Sequence, residues 1–151
     1  MMLASGTWRG RGSLLAEGQS RGMPVACEVR LERDDEGITV TGHWQRDGAE
    51  ARELAARVAG NDVGTYTLSL RLDLESLQGT AKLDSPPNLG LLWNDAGSVH
   101  ATFALFEVSG GYGCRGFVRD GARVFTWEIA LSPAERPGGG DNVVSLRGRR
   151  R

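Results

Sequence analysis

Apolar and polar residues alternate along most of this chain. Between Val25 and Glu32, the side chains Val25, Cys27, Val29 and Leu31 fall on one side, and Ala26, Glu28, Arg30 and Glu32 on the other. A side-chain repeat of two is the mark of a β-strand with one dry face and one wet face. The same repeat runs through Thr7–Ala16, with Trp8, Gly10, Gly12 and Leu14 on one face, and through Ile38–Gln45, where Ile38, Val40, Gly42 and Trp44 oppose Thr39, Thr41, His43 and Gln45. It returns in Thr65–Leu74, with Tyr66, Leu68, Leu70, Leu72 and Leu74 aligned, and again in Leu77–Leu83, Leu89–Trp93, Tyr112–Arg119 and Val124–Leu131. Val99–Val108 is apolar on both faces and predicts a strand covered on both sides. Turn chemistry separates the runs: Asp34-Asp35-Glu36-Gly37, Asp47-Gly48, the proline-broken Asp84–Asn88, Asp95-Ala96-Gly97, Ser109-Gly110-Gly111 and Asp120-Gly121. Ala49–Ala59 is the one ambiguous stretch. Its Ala, Glu, Leu and Arg favour a helix, but Leu54, Ala56 and Val58 also alternate, and its length and neighbours favour a strand.

About ten short strands in one chain leave many unpaired edges, and closing the sheet on itself removes them all. The expected fold is therefore all-β: a single antiparallel up-and-down β-barrel of about ten strands over residues 1–131. Residues 132–151, with Pro137-Gly138-Gly139-Gly140 and the basic end Arg147–Arg151, read as a loose tail. The length of 151 residues fits one domain. The 22 glycines exceed ordinary usage and fall at turns and within strands, where a small barrel needs sharp bends.

A formal net charge of −1 argues against a nucleic-acid partner. No apolar run is long enough for a membrane helix, so no membrane partner is expected. The start lacks the apolar centre of a signal peptide, which makes the cytoplasm the expected location. There Cys27 and Cys114 would stay reduced, as small apolar filling.

Gly6-Thr7-Trp8, opening the first strand, resembles the Gly-x-Trp signature of the calycin barrels. The resemblance covers about residues 6–131 through its strand pattern, and the number of strands is closer to the fatty-acid-binding and nitrobindin-like branch than to the lipocalins. The opening Trp-Arg-Gly-Arg-Gly is similar to uncharacterised bacterial members of the nitrobindin-like group. The resemblance implies that Trp8 closes one end of the barrel with an arginine packed over it, for which Arg136 is the candidate. It also implies that Tyr112, Arg115 and Arg123 stand where the fatty-acid-binding branch holds a carboxylate. Nitrobindin-like proteins hold haem through a late histidine. This chain has only His43 and His100, neither in the last two strands, so haem is not expected and any cofactor is unknown.

The residues offer little reaction chemistry. Two distant histidines and two single cysteines give no metal-ligand spacing, and no nucleophile elbow is present. Gly110-Gly111-Tyr112-Gly113 lacks the lysine and helix of a phosphate cradle and reads as a hairpin. His43 alternates onto the wet face; His100 could face either way. The aromatic residues are more informative. Trp8, Trp44, Tyr66, Trp93, Phe103, Phe125 and Trp127 fall on the apolar faces of separate strands, and a closed barrel turns those faces to a common interior. Glu107 shares a face with Phe103 and Leu105; if internal, it needs a cation such as Arg115 or Arg123. The candidate binding set is thus Trp8, Trp44, Tyr66, Trp93, Phe103, Glu107, Arg115, Arg123 and Trp127, with no catalytic and no metal-ligating residue. It describes non-enzymatic binding of a small, largely apolar molecule. The competing reading is a filled barrel acting as a protein-contact module, a homodimer included, through the apolar Val99–Val108 run.

Overall fold

The computed structural model describes residues 3–61 and 63–134. They form ten strands: β1 (Gly6–Ala16), β2 (Met23–Arg33), β3 (Gly37–Arg46), β4 (Arg52–Gly60), β5 (Tyr66–Leu72), β6 (Glu75–Lys82), β7 (Asn88–Trp93), β8 (Val99–Val108), β9 (Gly111–Asp120) and β10 (Arg123–Pro133). Each strand pairs antiparallel with the next, and β1 pairs with β10, which closes the barrel. No helix occurs among the described residues. The ambiguous segment is strand β4, where Leu54, Ala56 and Val58 stand opposite Gly42, Val40 and Ile38. Helical propensity there is outweighed by ladder bonds on both sides, to β3 and to β5.

Register carries the alternation around the wall. Ala16, Phe125, Val118, Ala101, Leu92, Gly79, Leu68, Val58 and Ile38 form one row of opposed residues from β1 through β10 back to β3. The row starts at the end of β1. It comes back on β3 and β2 beside Leu31, which opposes Gly6 at the beginning of β1. The strands are therefore steeply tilted to the barrel axis, as closure requires.

Glycine permits this curvature where strands approach closely. A Cβ placed on Gly12 would lie 1.7 Å from the Glu128 carbonyl oxygen across the closing seam. At the hairpins, Asp73 itself takes a positive φ of 58°. Asp73 and Leu74 then make a two-residue turn, since Leu72 already pairs with Glu75. This turn corrects one expectation: Leu74 does not extend the lumen face of β5 but stands 95% exposed. Strand β10 also continues to Pro133, past the expected end at 131, and the Ala134 amide donates to the Thr7 carbonyl (2.9 Å). Arg136 and the basic end of the tail lie outside the described residues.

One end of the barrel is closed. Trp8, Val29, Leu31 and Ile38 are buried there, with Leu3, Tyr112 and Leu131 packed against them. The Trp8 indole donates to the Ala4 carbonyl (2.8 Å) and its ring lies 6.0 Å from that of Tyr112. Arg33 donates to the Leu3 carbonyl (2.8 Å), so this arginine of β2 pins the entering chain under the barrel. A second cluster, Leu68, Ala81 and Leu83, extends the closed end beneath β5 and β6.

Candidate functional site: the barrel lumen

Away from the closed end, inward burial is uneven: Leu77 of β6 and Val99 and Ala101 of β8 are buried, while the other strands are covered only in part. Leu14 and Ala16 of β1, Val25 and Cys27 of β2, Trp44 of β3, Leu70 and Leu72 of β5, and Phe125, Trp127 and Ile129 of β10 are all half-buried. No large side chain among the described residues is fully buried. A barrel packed solid with its own side chains would bury its inward rings and leucines completely. These half-buried side chains make up most of the inward face towards the end carrying the β1–β2, β3–β4, β5–β6, β7–β8 and β9–β10 turns.

Two of the rings lie along the wall and do not cross the interior. A Cβ on Gly90 would stand 2.2 Å from the Phe103 ring, and one on Gly116 would stand 2.5 Å from the Trp127 ring. Each ring covers a glycine of the neighbouring strand, a pairing that shields exposed backbone. The Trp127 N–H donates to Cys114 Sγ at 3.5 Å. The Trp44 N–H is buried and meets no acceptor among the described residues. An unpaired buried donor costs about 1–3 kcal/mol. Burial pushes the thiol pKa values of both Cys27 and Cys114 up; these free thiols face the same interior.

The candidate residues divide into three groups. Trp44 and Trp127 face the lumen, Phe103 does so while packing against the Leu68–Ala81–Leu83 cluster, and Arg123 stands at the rim, where its guanidinium stacks 5.2 Å above the Phe125 ring and reaches Asp120 at 4.0 Å. Trp8 and Tyr66 face inward but belong to the closed end. The Tyr66 hydroxyl donates to Asp84 Oδ1 at 2.5 Å, and that bond raises its pKa above the ordinary phenol value. Glu107 lies on the inward side opposite Tyr112, but at the exposed rim of the closed end.

Trp93 and Arg115 are on the outside, which corrects their sequence assignment. Trp93 opposes Gln78 and His100, both exposed, because Leu92 takes the inward place facing Gly79 and Ala101. The period-two rule fails for Trp93 because β7 is short and apolar on both faces, so the inward row had to be chosen by its neighbours. Arg115 opposes Glu128 and binds it at 2.9 Å, with its guanidinium 5.6 Å over the Phe106 ring. The expected Glu107 ion pair is therefore not formed with either arginine: Arg115 binds Glu128, and Arg123 faces Asp120.

Both histidines are outside as well. His43 is exposed on β3, and His100 Nε2 donates to the Gly97 carbonyl at 2.8 Å. Among the described residues, no three His, Cys, Asp or Glu side chains converge on a metal-sized site. A groove of about 450 Å³ crosses the outer wall of β3–β6. It runs between two outward rows, Thr41–Ala55–Arg71 and Thr39–Arg57–Ser69–Gln78. Its lining comes from β3–β6 and Asp95, and takes in Val40, Ala56, Leu70 and Leu77 of the inward row as well as the outward ones. Arg57 on its edge is held by Asp34 through contacts of 2.9 and 3.0 Å.

Leu70, Leu72 and Val25 were absent from the sequence-derived set. Aliphatic residues at alternating positions look identical whether they fill a core or line a cavity, and only their half-buried state distinguishes the two.

No family model matches the chain, and no curated protein matches it. A solved structure does resemble it: the S-type phycobiliprotein lyase CPES from Guillardia theta, with a TM-score of 0.62 over 89% of this chain and 90% of that one. The two share a barrel fold. At 11% identity the likeness extends to the fold and no further.

Proposed function

We propose that this barrel is of the calycin kind and binds a small, largely apolar molecule in its lumen, without catalysing a reaction. The observation that carries the reading is the half-buried state of inward Leu14, Val25, Trp44, Leu70, Phe125 and Trp127. Water reaches these apolar walls, and an apolar guest that replaces it gains about 25 cal/mol for each Å² covered. Trp44, Phe103 and Trp127 supply flat aromatic surface, Arg123 supplies a cation at the rim, and the Trp44 N–H is a donor that an acceptor on the guest would satisfy. The fold neighbour, named as a lyase of phycobiliproteins, is consistent with a barrel that handles a small ligand.

The test uses the apolar fluorophore N-phenyl-1-naphthylamine with the full chain. Saturable uptake at one site per barrel, with energy transfer from tryptophan, is expected. The variant Phe103→Ala should weaken uptake at least fivefold. Its stability should fall by about 1–2 kcal/mol, below the 3–5 kcal/mol of a ring removed from a solid core. Absence of saturable uptake, together with a loss of stability at the solid-core level, would establish the filled barrel instead.

A further inference from the structure

The outer wall of the barrel is uneven in both polarity and charge. Leu89, Leu91 and Trp93 face outward from β7, and Phe117 from β9; Leu91, Thr102 and Phe117 lie on one cross-strand row. Leu89, Leu91 and Phe117 are 44%, 49% and 48% exposed. Among the described residues no second layer covers β8, although its two-faced apolar pattern predicts one; Ala104 and Phe106 of its outer face are only half-buried.

Charge follows the same wall. Along β6 to β10 and on to β1, the outward ionic side chains are Lys82, Arg115, Arg119, Arg9 and Arg11, against the carboxylate of Glu128; Arg115 pairs with Glu128 at 2.9 Å and Arg9 with Glu28 of β2 at 3.0 Å, which leaves Lys82, Arg119 and Arg11 outside any ion pair among the described residues. The outward side of β2–β5 is balanced, with Glu28, Glu32 and Glu53 against Arg30, Arg57 and Arg71. In a chain of formal net charge −1, Lys82 stands opposite the exposed Leu89, and Arg115 and Arg119 flank the exposed Phe117 on the outward face of β9.

We propose that the wall of β6–β10 docks onto the surface of an anionic lipid bilayer. The wall is convex, and a handful of apolar side chains falls well short of the roughly 800 Å² per partner that a stable protein interface buries. A second copy would bring cations against cations. A lipid surface deforms around a convex wall, accepts leucine and aromatic side chains at the level of its headgroups, and attracts Lys and Arg when anionic. The expectation that no membrane partner exists came from the lack of a spanning helix, which a peripheral contact does not need. The balanced charges of β2–β5 keep the rest of the barrel in water. This inference is independent of whether the lumen is occupied.

Co-sedimentation of the full chain with vesicles tests it. Binding is expected to vesicles of phosphatidylcholine mixed with an equal part of phosphatidylglycerol, to weaken with added salt, and to be lost on phosphatidylcholine alone. Arg115→Gln and Arg119→Gln should each lower the partition coefficient about fivefold. Leu91→Ser combined with Phe117→Ser should lower it at least tenfold, while Arg30→Gln on the opposite wall leaves it unchanged. All these side chains point outward, so thermal unfolding should hardly move and loss of fold is separable from loss of binding. Brominated phosphatidylcholine in the mixed vesicles should quench wild-type fluorescence and spare Trp93→Phe. The proposal is overturned if anionic vesicles carry down no protein, or if the variants on this wall bind like the wild type. Sedimentation velocity showing a dimer that Leu91→Ser and Phe117→Ser dissolve, without vesicle binding, would give the wall to a second copy.

Discussion

Two glycines on the same face of β1 should respond very differently to a single methyl group. At Gly10 the added Cβ would meet Cys27 Sγ at 2.7 Å, Leu131 Cδ2 at 2.8 Å and Ile129 Cγ2 at 2.9 Å, all of them side-chain ends. Small rotamer shifts relieve such contacts, and overpacking of this kind costs about 1–2 kcal/mol. At Gly12 the Cβ would lie 1.7 Å from the Glu128 carbonyl oxygen and 2.7 Å from its carbon. Nothing there can rotate away. The β1 and β10 backbones must separate by more than 1 Å in a contact that ordinarily needs about 3.2–3.4 Å, and the ladder around Ser13–Glu128 and Gly12–Ile129 must loosen. Losing one or two of those ladder bonds, each with a buried group left unpaired at about 1–3 kcal/mol, puts Gly12→Ala near 3–5 kcal/mol. Urea unfolding followed by tryptophan fluorescence measures both variants against the wild type, with a common slope to show that the same surface is exposed. If Gly12→Ala lies within 1 kcal/mol of the wild type, or is milder than Gly10→Ala, the argument that this glycine enables closure is refuted.

Two further outcomes follow from titratable groups. The Arg57 guanidinium, with the Glu36 and Gly37 amides, holds the Asp34 carboxyl at about 2, below its ordinary 3.8. A depressed carboxylate stabilises the fold above its unfolded value and loses that contribution as pH falls towards the folded one. Between pH 4 and pH 2 the wild type should therefore lose more of its stability than Asp34→Asn, as read from denaturation midpoints across that window; parallel losses would show that the Arg57 contact contributes nothing. Burial raises both thiols, so at pH 8 Cys27 and Cys114 should react with a disulfide reagent far more slowly in the folded chain than in urea. Equal rates would show a lumen wall more open than its half-buried side chains imply.

The strands themselves were legible because alternation is a local property. In Val25–Glu32 or Phe125–Leu131, neighbouring residues already divide between water and interior, whatever else the chain does. Even β4, with helix-forming residues, kept the alternation that its partners then enforced. The turns were equally local, except at Asp73-Leu74. There a non-glycine residue accepts positive φ, and a leucine that continues the apolar series is left in solvent. The closing of one end was foreshadowed by Trp8; that Arg33 of β2 holds the entering chain there, through the Leu3 carbonyl, was not. Which face of a two-sided apolar strand turns inward is a long-range question. Trp93 lies outside because Leu92 is held between Gly79 and Ala101, and Arg115 because Cys114 is opposed by Leu105 and Ile129.

The order of residues determined, by itself, that this protein is a succession of hairpins with a dry and a wet side, since each side chain's direction depends only on its parity along the strand. Tertiary structure decided what that dry side encloses. Strand number, tilt and the glycine contacts at the seam set the width of the barrel. Width, a property no single segment carries, determines whether the same leucines and tryptophans fill a core or line an opening.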